Sequence, residues 1–227
     1  ALKIKKIKKM LFLIFSKVFG LHKDINWHAS TKYEKNDILR TIGKVNIFEA
    51  VDIIVMDSRN YLEREDVYKK IDHLKIVFIS RISPKKNLDY AAKLLSKIES
   101  QIKFNIYGPI DDQNYWEKCL DLFKNLPNNI ELKYHGSIHP NEIYHTMSKH
   151  HVFLFPTHGE NFGYVIAEAL EAGCIPIISD KTPWDDLQEK SIGKIIPLGD
   201  DLQYIKSIDY FAKMDNQTFK LASQAAK

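Results

Sequence analysis

From Leu74 onward, short apolar runs alternate with stretches in which apolar residues recur every three or four positions. The runs predict buried strands, and the stretches between them predict helices with one apolar face. The predicted strands are Ile76–Ile79, Phe104–Tyr107, Ile130–Tyr134, Val152–Phe155, Ile175–Ile178 and Lys194–Ile196. The predicted helices are 88–98, 115–125, 141–149 and 162–172, with closing helices at 200–214 and 215–226. This alternation indicates an α/β domain with a doubly wound parallel sheet of the Rossmann-like kind.

The first part of the chain has a different pattern. We predict one helix over residues 1–20, a strand at Ile25–Ala29, a helix at Tyr33–Ile42 and an apolar run at Ile47–Met56. Ser30 or Thr31 would cap the second helix, and Glu34 completes a capping box with Thr31. Residues 57–72 are charged and lack the regular spacing of apolar residues that is typical of a strand. We therefore predict a first domain at 1–56, a linker at 57–73 and a main domain at 74–227.

Residues 152–184 predict a single βαβ unit. A buried strand is followed by the polar loop Thr157–Glu160, by Asn161 as a helix N-cap, and by a helix that Gly173 ends before the next strand. In such units ligands collect at the carboxyl ends of the strands. Glu160 lies there, directly before a helix N-terminus. A carboxylate can accept from hydroxyls while helix amides donate to phosphate oxygens, so the pattern favours recognition of a sugar phosphate.

The glutamates in this unit carry a family resemblance. Seven residues separate Glu160 from Glu168, Phe162-Gly163 follows the first, and Ala169 follows the second. Together with the strand Ile-Pro-Ile-Ile-Ser, this resembles the Glu-x7-Glu signature of the group 1 (family 4) retaining glycosyltransferases, which have the two-domain GT-B fold. The alternative is that both glutamates are solvated residues on a helix face.

A basic loop follows the first predicted strand of the main domain. Arg81 and Lys86 would share the sheet edge with Glu160, and two cations there would compensate a diphosphate. The loop is similar to the Gly-Arg-x4-Lys-Gly motif of the same family, with Ser80 and Asn87 in place of the glycines. Lys85 is a second candidate for the role of the lysine, and a solvated basic loop is the other interpretation.

The resemblance also implies roles for individual residues. Arg81 and Lys86 would neutralise the departing diphosphate, and Glu160 would hold hydroxyls of the donor sugar beside the reacting centre. Glu168 would accept from the ribose hydroxyls, and Ile138, in the loop after Gly136, would contact the base. The phosphate would meet the helix start, formed by Asn161, Phe162, Gly163, Tyr164 and Val165.

The implied reaction is transfer of a sugar, with retention, from a nucleotide-diphosphate donor to a glycan or lipid-linked acceptor. It would use no cofactor and no metal, and polysaccharide or capsule biosynthesis is the expected context. In this family a full N-terminal domain provides the acceptor-binding side of the site, and residues 1–56 resemble a remnant of that domain. We therefore expect a donor-binding part of a longer enzyme. A non-catalytic nucleotide-sugar-binding module and a nucleotide-sugar epimerase of the same fold remain alternatives.

Charge and cysteine usage limit the other classes of function. The first fifty residues carry eleven Lys or Arg against four acids, whereas the rest of the chain is slightly acidic, which argues against a nucleic-acid-binding surface. Residues 1–19 predict either a basic amphipathic helix on anionic lipid or a helix packed on a neighbouring domain. Cys119 and Cys174 are isolated, with no zinc spacing, which favours the cytoplasm, with peripheral membrane contact as an addition.

Overall fold

The computed structural model describes residues 2–50, 67–187, 189–190 and 192–227, and the chain divides into two compact units at residues 55 and 56. The helices are α1 (Leu2–Val18), α2 (Lys32–Thr41), α3 (Leu88–Leu95), α4 (Gln113–Phe123), α5 (Pro140–Ser148), α6 (Tyr164–Glu171), α7 (Asp201–Lys213) and α8 (Asn216–Ala226). The strands are β1 (Asn26–Ala29), β2 (Asn46–Glu49), β3 (His73–Ile79), β4 (Gln101–Tyr107), β5 (Ile130–Tyr134), β6 (Val152–Phe155), β7 (Ile175–Ser179) and β8 (Lys194–Ile196).

The first unit contains a parallel pair of strands, β1 and β2, with α2 between them in the chain. Thr31 is the N-cap of α2, as predicted: its Oγ1 accepts from the amide of Glu34 at 3.1 Å. The Glu34 carboxylate accepts from the amide and the hydroxyl of Ser30 at 2.9 and 2.8 Å, which closes the helix start from the other side. The second half of the predicted run Ile47–Met56 and most of the predicted linker lie outside the described residues.

Helix α1 presents large apolar side chains to solvent. Phe12 is 63% exposed and Val18 is 75% exposed, and Leu11 and Phe15 are exposed as well, as is Phe19 directly after the helix. No described helix has the length and the apolar character that crossing a bilayer requires. Contact of this helix with anionic lipid stays a prediction.

The second unit is built on a six-stranded, entirely parallel sheet with the order β5-β4-β3-β6-β7-β8. This is the doubly wound arrangement that the sequence predicts, and all six predicted strands are present. Every residue of β6 and β7 is buried. Continuous apolar strands of this kind need both faces of the sheet covered, as helices cover them in doubly wound folds. The strand order reverses between β3 and β6, and at such a switch point a crevice forms outside the carboxyl ends of the strands.

Gly108 allows the ends of β3, β4 and β5 to approach one another. Its φ is +135°, and a Cβ built on it would lie 1.9 Å from the carbonyl oxygen of Ser80. Its amide donates to the carbonyl of Gly136 at 2.7 Å, while the amide of Ser80 donates to Tyr107 at 3.1 Å. A residue with a side chain would separate these strand ends, because the contact is with backbone. Gly108 therefore serves the close packing of these strand ends as well as the turn.

Candidate functional site

Because β3 and β6 are neighbours in the parallel sheet, the loops that follow them meet at the carboxyl edge of the sheet. Lys86 ends a short 3-10 turn, Pro84–Lys86, and its Nζ lies 2.5 Å from Oε1 of Glu160. Each of these side chains is about 11% exposed. The Lys86 ammonium also lies 5.3 Å from the centre of the Phe155 ring, at the end of β6. The structure thus joins two of the residues predicted for the site in one nearly buried ion pair, so the Glu160 carboxylate has a charged partner before any ligand binds.

Asn87 gives the first loop its shape. Its φ and ψ of 62° and 39° are left-handed, a conformation that Asn tolerates better than most residues. Its side-chain amide donates to the carbonyl of Pro156 at 2.9 Å and so ties the loop after β3 to the loop after β6. Asn87 can therefore replace the family's glycine without losing the turn, and it adds a bond that glycine would not make.

The other basic residues of this loop point elsewhere. Arg81 is exposed and pairs with Asp111, which follows β4, at 3.2 Å. The Lys85 side chain is exposed, but its carbonyl accepts from the amide of His158 at 2.8 Å. Of the three basic residues predicted here, Lys86 is the one whose side chain contacts Glu160 in the described structure. Whether Arg81 binds a ligand stays a prediction.

Helix α6 begins later than the sequence predicted. Gly163 is its N-cap, with φ of +84°, so the expectation that Asn161 caps this helix was wrong. The loop continues because its backbone has partners outside the helix: the amide of Glu160 donates to Lys181 at 3.1 Å, and the Phe162 carbonyl accepts from Trp184 Nε1 at 2.7 Å. A Cβ at position 163 would come within 3.0 Å of the Ile166 side chain, which favours glycine there.

The remaining predicted residues lie along the same edge of the sheet. Glu168 is half-buried on α6, and burial, followed by the neighbouring Glu171 carboxylate, raises its pKa. Asn161 and Tyr164 are exposed beside Glu160, whereas Val165 packs partly against the core. Ile138, in the loop after β5, also packs partly against the core. Their contacts with a ligand stay predictions.

Sequence reasoning missed the polar residues that support Glu160. Thr157 is completely buried, and its hydroxyl lies 3.0 Å from Glu160 Oε1. Ser179, at the end of β7, is also completely buried, and its hydroxyl donates to the Thr157 carbonyl at 2.6 Å. The position of Thr157, two residues after the apolar strand β6, is a signal that could have identified the first of them. The second depends on a partner that is distant in sequence.

Two of the Asp-Asp pairs in the sequence, Asp111-Asp112 and Asp200-Asp201, each supply a helix cap. Asp112 accepts from the amide of Tyr115 at 3.0 Å and caps α4, and Asp200 accepts from the amide of Gln203 at 3.1 Å and caps α7. Within the ranges that the structure describes, no group of three or more His, Cys, Asp or Glu side chains is placed to hold a metal ion.

Comparisons with known proteins agree with this architecture. Residues 62–227 match the family model for "Glycosyl transferases group 1". A Klebsiella pneumoniae protein described as an uncharacterized 41.2 kDa protein in the cps region is 25% identical over 183 residues, which are 78% of this chain and 48% of that protein. The chain spans about half of that relative's length.

Solved structures share the fold at low sequence identity. WaaG, a glycosyltransferase involved in lipopolysaccharide biosynthesis, superposes with a TM-score of 0.69 at 13% identity, over 88% of this chain and 56% of WaaG. Anabaena HepE in complex with UDP-glucose superposes with a TM-score of 0.67 at 16% identity, over 96% of this chain and 64% of HepE.

Proposed function

Because this chain belongs to the group 1 glycosyl transferases, we propose that its second unit binds a nucleoside-diphosphate sugar in the crevice between β3 and β6. One observation carries the proposal. Lys86 and Glu160 form an ion pair at this crevice, and each partner complements a different part of such a donor. The diphosphate would bind the Lys86 ammonium, and the sugar hydroxyls would donate hydrogen bonds to the Glu160 carboxylate. HepE, which is similar to this chain in fold, was solved in complex with UDP-glucose, so UDP-glucose is the first donor to test.

Further groups would complete the donor site. The amides at the start of α6 and the positive end of its dipole would face the phosphates. Arg81 would add a second cation once it leaves Asp111, a pair that is exposed and easily exchanged. Glu168 would accept from the ribose, and the loop that contains Ile138 would contact the base. Charge that develops on the departing diphosphate would then be stabilised by fixed groups.

We propose the complete reaction for the whole protein, since the chain spans only about half of its curated relative. The proposed reaction is sugar transfer to a glycan or lipid-linked acceptor with retention and without a metal, in polysaccharide biosynthesis. The origin of the Klebsiella relative in a cps region supports this context.

Donor binding can be tested by thermal shift with UDP, GDP and ADP and their glucose conjugates, each with and without EDTA. A ligand at a hundred times its Kd stabilises the folded state by about 2.7 kcal/mol. We expect at least one diphosphate to raise the melting temperature equally in both buffers. Stabilisation that EDTA abolishes contradicts metal independence, and the absence of any shift contradicts the donor site.

A further inference from the structure

Thr157 occupies the junction of three loops at the carboxyl edge of the sheet. Its hydroxyl lies 3.2 Å from the Lys85 carbonyl, in the loop after β3, and 3.0 Å from Glu160 Oε1, in its own loop. Its backbone carbonyl accepts from Ser179 at the end of β7. The side chain is completely buried, so its position is fixed by its neighbours.

The hydroxyl has one proton and several acceptors within reach. The carbonyls of Lys85 and Gly159 lie at 3.2 and 3.3 Å, and the Glu160 carboxylate oxygen lies at 3.0 Å. An ionised carboxylate is the strongest of these acceptors and is also the nearest, so the proton goes to Glu160. The lone pairs stay available to the amide of Gly159, which donates to the hydroxyl at 3.2 Å.

The same oxygen of Glu160 receives both the Lys86 ammonium and the Thr157 hydroxyl. In the proposed donor complex Lys86 turns to the diphosphate, and this oxygen loses its charged partner. The Thr157 carbonyl accepts from Ser179 at the end of β7, a hydrogen bond that does not involve Lys86. We propose that Thr157 is a positioning residue: it holds Oε1 of Glu160 when the donor takes Lys86, so that the second carboxylate oxygen faces the sugar. The inference rests on the proposed donor site.

The test compares Thr157→Val, which keeps the shape of the side chain and lacks the hydroxyl, with Thr157→Ser, which keeps the hydroxyl. Thr182→Val is the matched control, since Thr182 is also buried but donates to Ser179 and not to Glu160. Titration calorimetry with UDP and UDP-glucose, or with the GDP or ADP pair if thermal shift favours it, gives the ratio of the two affinities for each protein.

We expect Thr157→Val to bind UDP-glucose about tenfold more weakly than the wild type and UDP within about twofold, as for one lost hydrogen bond to a charged group. Thr157→Ser and Thr182→Val should keep the wild-type ratio. General loosening of the loop lowers both affinities together and leaves the ratio unchanged, so an unchanged ratio overturns the inference, as does a Ser variant that behaves like Val. A wild-type protein that binds neither ligand contradicts the proposed function itself, and the role of Thr157 falls with it.

Discussion

The two edges of the six-stranded sheet bury ionisable groups in opposite ways. At the carboxyl edge, Glu160 and Lys86 are buried as a charged pair. At the amino edge, directly before β6, His150 and His151 are buried with no carboxylate partner among the described residues, and burial lowers their pKa values to about 4 and about 3. Lys69, before β3, donates to the carbonyls of Ala212 and Met214, and burial lowers its pKa to about 8.

This difference in how charge is buried suits the carboxyl edge to ligand binding and the amino edge to a structural role. A buried ion pair can exchange its partners for groups of a ligand, a phosphate for Lys86 and sugar hydroxyls for Glu160, so that both charges stay hydrogen-bonded. A buried neutral histidine has no such exchange, because protonation would place an unpaired charge in the core. The carboxyl edge should therefore respond to ligands, and the amino edge should respond to pH.

The largest effect that we expect is an acid-induced loss of stability at the amino edge. The folded-state pKa values of His150 and His151 lie below the unfolded value of about 6.5, so the unfolded state binds more protons once the pH falls below about 6.5. Stability is then lost as the pH decreases from 7 to 5, by about 2 kcal/mol for each histidine. Urea unfolding at a series of pH values measures this slope.

The double variant His150→Gln/His151→Gln should remove most of the slope, while His145→Gln, at an exposed position on α5, should keep it. A double variant with the wild-type pH dependence would show that other groups cause the acid sensitivity. The contrast between the two edges would then be lost.

At the carboxyl edge, Lys86→Met should lower UDP affinity about a hundredfold, the order expected for a charge-assisted bond to phosphate. Lys85→Met is the matched control, because its side chain is exposed one residue away. Glu160→Gln should leave UDP affinity nearly unchanged or raise it, because it releases Lys86 from its partner. Calorimetry of the three variants tests this: an equal loss in Lys85→Met would show a general effect of charge in the loop, and a loss in Lys85→Met alone would assign the phosphate contact to that lysine.

Much of this architecture could be predicted because it is encoded locally. Strands β6 and β7 are short apolar runs that are recognised without knowledge of their neighbours, and their carboxyl ends identify the crevice. The resemblance added Lys86 and Glu160 from loops more than seventy residues apart. The structure confirms the sheet and brings these two side chains together.

What the sequence did not reveal depends on contacts between distant segments. Asn161 is a good N-cap by residue type, but the helix starts after Gly163 because Lys181 and Trp184 hold the loop open. Lys69 lies in the segment predicted as a linker, and its burial follows from carbonyls at the end of α7. A polar residue whose partner lies more than a hundred residues away gives no local signal of burial.

A smaller effect should come from Glu168. If its carboxylate accepts from the ribose, Glu168→Ala should weaken UDP and UDP-glucose alike, by about 1.5–3 kcal/mol for a charge-assisted bond. Glu171→Ala is a control on the same helix, at a residue whose charge contributes to the raised pKa of Glu168. Calorimetry separates this pattern from that of Glu160→Gln, which should change the sugar conjugate more than UDP. An effect on UDP-glucose alone would assign Glu168 to the sugar.

The smallest effect on stability comes from backbone conformation, and we expect it to be the same at the two edges of the sheet. Among the described residues, Asp72 and Asn87 are the non-glycine residues with positive φ, 58° and 62°. Asp72 directly precedes β3, and Asn87 lies in the loop after β3 and before α3. Alanine at either position keeps the strained conformation without a side-chain contact, and glycine removes the strain. We expect each glycine variant to be about 1 kcal/mol more stable than the alanine variant at the same position.

Because neither alanine nor glycine can form the side-chain contacts of the native residue, this difference isolates the backbone term at each edge. Asn87→Gly should still be slightly less stable than the wild type, since it loses the bond to the Pro156 carbonyl. Urea unfolding of the four variants gives the values. Equal stability of the alanine and glycine variants at position 87 would show that this bond, and not the left-handed turn, selects asparagine there. The loop after β3 would then be shaped by its contact with β6 and not by its own backbone.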